Sequence, residues 1–173
     1  MGEPDAEIRP SGEDLLVLYD HALPRVYGYL APRCGSVAVA EDLTSETFLA
    51  AANSIQRGAV ERLSVAWLIG IARHKLVDHW RRQGREDARL ALIAADDDPP
   101  DQWDATLDAV RAREVLARLA PQHQAVLTLR YLDDLSVREV AGLMNRGEHA
   151  TEALLMRAKA AFRLAYEDGG DHG

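Results

Sequence analysis

The stretch AWLIGIARHKLVDHWRRQGR, residues 66–85, decides how the chain is read. Leu68, Ala72, Leu76 and Trp80 recur every fourth residue, which stacks them along one side of a helix. The other surface carries Arg73, His74, Lys75, His79, Arg81 and Arg82, with Arg85 just past Gly84. Such a helix is ~30 Å long at ~1.5 Å per residue. One face is apolar enough to bury, and the opposite face is basic enough to hold phosphates. An ordinary core helix with a solvated basic face has the same pattern, so the stretch defines a helix before it defines a ligand.

Around this helix, 173 residues suffice for one ordinary domain or two small ones. Hydrophobic residues make up 47% and aromatics only 6%, with few Val/Ile/Thr runs, which favours a packed all-helical chain. The single cysteine, Cys34, excludes an internal disulfide framework and a Cys-rich zinc site. No apolar run approaches the ~18 residues of a membrane span, and the start, MGEPDAEIRP, is acidic. The expectation is a soluble, cytoplasmic protein. His21, His74, His79, His123, His149 and His172 are scattered, and neither a Gly-rich phosphate loop nor zinc-ligand spacing occurs. Asp78 and His79 adjoin but face different directions on a helix, so they form no dyad. No enzyme activity, metal or cofactor is expected.

A net charge of −8 looks unsuited to nucleic acid, but its distribution reverses that impression. Residues 1–85 hold ten Lys/Arg against eleven Asp/Glu, and residues 109–173 hold nine against nine. Residues 86–108 hold one basic residue, Arg89, against eight acidic ones. Two near-neutral flanks therefore surround a short acidic segment, and binding follows the local patch rather than the overall pI.

In chain order, residues 1–12 contain two prolines and no apolar rhythm, which suggests a loose tail. From Glu13 to Cys34, Leu15, Leu18, Tyr19, Val26, Tyr29 and Leu30 suggest a helix, or a pair broken at Pro24. Ser36 is placed to cap a second helix with the stripe Ala40, Leu43, Thr47, Phe48, Ala51 and Ile55. Glu41, Asp42 and Glu46 point outward from it. Polar residues from Asn53 to Ser64 form a connecting loop before the basic helix.

After Gly84 the pattern decays, and ADDDPPDQWD (95–104) opposes helix. Residues 86–107 read as a linker, with a helical fragment near Ala88–Ala95. A second module follows. Ala109, Ala112, Leu116 and Leu119 keep a 3-4-3 spacing, and Pro121 opens a helix running to about Leu132. Asp133–Asp134 ends it. Ser136-Val-Arg-Glu139 is a capping box that starts a short helix carrying Val137, Val140, Ala141, Leu143 and Met144. Asn145-Arg-Gly147 makes a tight turn through left-handed backbone, and a longer helix follows from about Glu148 to Tyr166. Its inward residues are Leu154, Ala158, Phe162 and Ala165. Short helix, tight turn and longer helix define a helix-turn-helix, whose second helix fits a DNA major groove.

Three blocks in order, AEDLTSETF (40–48), residues 66–85, and LAPQHQAVLTLRYLDDLSVREVAGLM (119–144), resemble a bacterial RNA polymerase sigma factor. The two-module length is similar to that of the extracytoplasmic-function (ECF) group. The resemblance covers about 15–85 and 108–166. It implies an all-α fold of two small helical domains, sigma region 2-like (13–85) and sigma region 4-like helix-turn-helix (108–168). An acidic linker (86–107) joins them, and tails lie at 1–12 and 169–173.

The resemblance also implies roles for residues. Asp42, Glu46 and Leu49 would dock on the coiled-coil of the polymerase's largest subunit, while Leu43 and Phe48 belong to the core. The loop around Asn53–Leu63, with Asn53, Gln56 and Arg57, would hold a base flipped from the −10 element. His74, Lys75, Asp78, Arg81, Arg82 and Arg85 would line the strand path. Trp67 and Trp80, at periodic positions, read as buried rather than stacked on bases. Region 4 would read the −35 element. Arg138 and Arg146 would contact phosphate, His149, Glu152, Ala153 and Met156 would face base edges, and Arg157 would serve either purpose. The chain departs from the family at Ser45, where Gln is usual, at His74, where Asn is usual, and at Glu152 and Leu154, where a basic run is usual. Glutamate accepts from a cytosine amino group, so the last change alters specificity rather than abolishing binding.

The implied partners are core RNA polymerase, promoter DNA and a cognate anti-sigma factor, with no membrane insertion. In the family the connection threads into the RNA channel, where Asp96, Asp97, Asp98, Asp101 and Asp104 would mimic RNA charge. Two alternatives stand beside this reading. One is a sigma mimic that sequesters an anti-sigma factor without binding DNA. The other is a helix-turn-helix regulator, which needs neither the AEDLTSETF block nor the acidic linker.

Overall fold

The computed structural model describes residues 9–90 and 108–169, with backbone only at 88–90. The expected acidic linker from residue 91 onward, including its five aspartates, and most of both tails lie outside the described residues. Seven α-helices and one π-helical turn account for the described elements. The chain divides into two compact units at Leu76/Val77, inside its longest helix.

In the first unit, α1 spans Gly12–Cys34 and α2 spans Val37–Gln56. Ser11 begins α1 with a capping box: Asp14 N–H donates to Ser11 Oγ, and Ser11 N–H donates to Asp14 Oδ2 at 2.7 Å. The loose tail expected over 1–12 therefore ends before Ser11. No break occurs at Pro24, since α1 continues through both Pro24 and Pro32. Both prolines lie on the exposed side, where water can satisfy the carbonyls they leave unmatched. Gly35, at φ 68, ends α1 in the left-handed conformation that glycine adopts without steric cost.

Ser36 takes the N-cap position of α2, but its side chain makes no cap hydrogen bond. Ala22, Val26 and Leu30 of α1 and Ala40, Leu43 and Ala51 of α2 are buried. Tyr19 and Phe48 meet across the pair with ring centroids 4.8 Å apart. Thr44 and Thr47 are buried too, because each hydroxyl donates to a carbonyl one turn back, Ala40 and Leu43, at 2.7 Å. The expected loop from Asn53 starts later, as Asn53 and Gln56 lie in the last turn of α2. Val60, in the remaining connection, is buried.

The third helix, α3, spans Val65–Leu90. Ser64, read from sequence as loop, accepts from Trp67 N–H at 3.2 Å and caps it. Leu68, Ala72, Leu76 and Trp80 are all buried, as their spacing requires, while Trp67 is half-buried. The helix does not stop at Gly84, and residues 86–90, expected in the linker, continue it. A lone glycine costs only about 1 kcal/mol inside a helix, too little to end one already propagating.

In the second unit, α4 is Ala109–Arg118, α5 is Pro121–Leu127, α6 is Val137–Met144 and α7 is Glu148–Asp168. The inward row expected on α4 is not its buried row. Val115 is buried, Ala112, Leu116 and Leu119 are half-buried, and Ala109 is exposed. The spacing located an apolar side correctly, but Ala112 and Leu116 line an open cavity of about 200 Å³ with Leu127 and Phe162. A π-helical turn, Thr128–Leu132, follows α5, and Asp133 N–H closes it onto the Thr128 carbonyl at 3.0 Å. Asp134 then adopts φ 52. Val126, Leu129, Val140, Ala141, Met144, Leu154, Ala158 and Phe162 form the core, whereas Ala165 is half-buried.

Candidate nucleic-acid and polymerase surfaces

On α2, the spacing that sends Leu43, Thr47 and Ala51 inward turns Asp42 and Leu49 outward. Leu49 is 65% exposed, and Leu16 and Val37 of the same unit are exposed as well. Leu43 lies in the core, and Phe48 is half-buried against Tyr19. Glu46 is also half-buried, and its Oε2 stands 3.5 Å from Lys75 Nζ of α3. This link between a polymerase candidate and a −10 candidate was invisible in sequence, because 28 residues and a helix connection lie between them.

The basic side of α3 is not one uniform strip. His74, Arg82 and Arg85 are exposed. Lys75 faces Glu46, and Arg81 pairs with exposed Asp78 at 3.3 Å. Arg73 and His79 are half-buried, and Arg73 lies 6.0 Å from the Tyr29 ring, which Arg33 covers at 4.1 Å. Asn53, Gln56 and Arg57 at the end of α2 are exposed, and Arg57 Nε donates to the Asn53 carbonyl at 3.3 Å. Gly58, at φ 66, begins the connection to α3.

The helix-turn-helix forms as its local chemistry dictates. Ser136 N–H donates to Glu139 Oε2 at 2.8 Å, and Glu139 N–H returns to Ser136 Oγ at 3.3 Å. Asn145 supplies the left-handed turn at φ 53. Gly147 does not share that role, since at φ −71 and ψ 155 it is the extended N-cap of α7. Thr151, fully buried, donates its hydroxyl to the Gly147 carbonyl at 2.9 Å. This bond ties the start of α7 to its first turn.

His149, Glu152, Ala153, Met156 and Arg157 are all exposed and follow the i, i+3, i+4, i+7, i+8 pattern of a single face. His149 Nδ1 lies 3.3 Å from Glu152 Oε2. Arg138 is exposed on α6, and Arg146 donates to Gln122 Oε1 at 3.0 Å. Burial pushes the His123 imidazole below its ordinary pKa, and the Arg157 cation adds to that shift. Cys34 is half-buried, and desolvation raises its thiol pKa to about 11, which keeps it unreactive.

These surfaces define a class: a helical module with an exposed basic face, followed by a helix-turn-helix module. Residues 18–86 match the model of Sigma-70 region 2, and residues 109–168 match Sigma-70, region 4. The chain is 38% identical over 158 residues to the ECF RNA polymerase sigma factor BldN of Streptomyces coelicolor, covering 87% of this chain and 60% of BldN. It is 33% identical over 134 residues to the RNA polymerase sigma factor CarQ of Myxococcus xanthus, covering 73% of this chain and 74% of CarQ. The sigma factor RpoE of Bartonella quintana, solved in complex with the anti-sigma factor NepR, shares the fold. The match has a TM-score of 0.54 at 20% identity, over 90% of this chain and 98% of that one. The chain belongs to the sigma-70 family of RNA polymerase sigma factors, and within it to the ECF group.

Proposed function

We propose that this chain binds core RNA polymerase and directs initiation at promoters by reading a −35 element and opening a −10 element. The two sigma modules in one chain, each with its own outward face, are the observation that carries the proposal. The α2 surface with Asp42, Glu46 and Leu49 docks on polymerase. Asn53, Gln56 and Arg57 stand where a flipped base is held, and His74, Lys75, Asp78, Arg81, Arg82 and Arg85 guide the separated strand. Capturing an unpaired base costs a few kcal/mol of unstacking, which phosphate contacts along α3 offset. On the second module, α7 enters the major groove with His149, Glu152, Ala153, Met156 and Arg157 toward the bases, and Arg138 and Arg146 hold phosphate.

The role gives the chain no catalytic step of its own, since the polymerase makes the RNA. It places the protein at the chromosome, in the cytoplasm, and no helix among the described residues is long and apolar enough to cross a membrane. A cognate anti-sigma factor is the natural restraint, as NepR is bound to RpoE in the Bartonella quintana complex. Transcription in vitro with purified core polymerase tests the proposal. Discrete start sites that vanish without this chain are expected, and failure to associate with core polymerase refutes it.

A further inference from the structure

Glu46 and Lys75 lie on helices to which the proposed function gives different partners, α2 for polymerase and α3 for the −10 strand. In the structure they occupy each other, Nζ standing 3.5 Å from Oε2. Their side chains are 43% and 33% exposed, so both charges remain within reach of a partner. An exposed pair of this kind adds little to stability. Its consequence lies in which charges are available. Among the described residues, Asp42 on the same helix has no ion-pair partner, and neither do Arg82 and Arg85 on α3.

We propose that this ion pair couples the two surfaces. In the free chain Glu46 screens Lys75 from phosphate, and a cationic group of the polymerase that takes Glu46 releases Lys75 to the promoter strand. The coupling rests on the sigma-factor function proposed above. It is reciprocal, because Lys75 engaged with phosphate leaves Glu46 to the polymerase, and each partner tightens the other by the same factor. The Asp78–Arg81 pair, at 3.3 Å, provides the contrast. Both of its groups belong to α3, so no polymerase-facing residue competes for Arg81.

The test uses the full chain and a labelled single-stranded DNA of mixed sequence, read by fluorescence anisotropy across salt concentrations. Glu46→Gln should tighten DNA binding by roughly two- to fivefold at low salt, the range an exposed pair corresponds to. It should also steepen the slope of log K against log salt by about 0.7, the increment for one more neutralised phosphate on a single strand. Adding Lys75→Gln should cancel both gains. With saturating core polymerase, the advantage of Glu46→Gln should disappear, because Lys75 is then released in both proteins. An unaltered slope, or an advantage that persists undiminished in the holoenzyme, overturns the coupling. If the unsubstituted chain binds no core polymerase, the sigma reading fails as well. If it binds polymerase while Glu46→Gln leaves DNA affinity unmoved, only the coupling fails.

Discussion

Helices α3 and α7 run 26 and 21 residues, and each buries a periodic apolar stripe, yet their outward faces differ in kind. The exposed side of α3 offers His74, Arg82 and Arg85, with Lys75 and Arg81 alongside in ion pairs. The outward face of α7 offers His149, Glu152, Ala153 and Met156 before its first arginine, Arg157. Positive charge along a helix gives sequence-independent affinity through counterion release, whereas a mixed face discriminates between base edges. On the proposed function, the first module grips a strand and the second reads a sequence. The distribution also explains how a chain of net charge −8 can bind DNA, since the excess acid lies mostly outside both modules.

The comparison breaks most severely if either scaffold is removed. Leu68→Ala and Leu154→Ala each delete a side chain that is at most 2% exposed. Each should cost about 2–5 kcal/mol of stability, as large-to-small core changes do, measurable by denaturant unfolding of the full chain. A smaller and more selective effect is expected from Arg82→Gln combined with Arg85→Gln. Holoenzyme binding to promoter DNA should weaken for every sequence alike, and the salt slope should fall by about 0.7 for each single-strand phosphate that an arginine no longer neutralises.

Glu152→Ala sharpens the contrast further. It should shift preference at one −35 base pair by about 1–3 kcal/mol while leaving the salt slope in place, which a promoter-variant titration would show. A uniform loss of affinity would mean that α7 acts as a second charge strip.

The smallest effect concerns pH. The folded-state pKa of His123 lies below its ordinary value, so the unfolded chain binds more protons as pH falls through the mid-6 range. Stability of the second module should therefore decline on acidification from about pH 6.5 toward the depressed value. His123→Gln should flatten that decline, as thermal unfolding between neutral and mildly acidic pH would report.

Much of this was legible in the residues. The four-residue spacing of Leu68, Ala72, Leu76 and Trp80 identified a buried stripe, because a helix of 3.6 residues per turn leaves no other arrangement. Ser136 and Glu139 announced their capping box, since that interaction is local and closes within one turn. The inward row of α7, with Leu154, Ala158 and Phe162, was equally plain from its periodicity.

Other features needed neighbours distant in sequence. The half-burial of Ala112 and Leu116 depends on how fully other helices cover α4, which periodicity does not report. Continuity of α1 through two prolines depends on those prolines facing water, and extension of α3 past Gly84 on helix propagation outweighing one weak residue. The division of α3's cations into exposed, paired and half-buried groups followed in part from Glu46 and Tyr29 of other helices standing where they do, whereas the Asp78–Arg81 pair closes within α3. By itself, then, the sequence determined which helices form, which side of each is apolar and which family the blocks resemble, because those are short-range or pattern properties. Only the tertiary structure decided which charges remain available to a partner, because that depends on groups brought within a few ångströms across different helices.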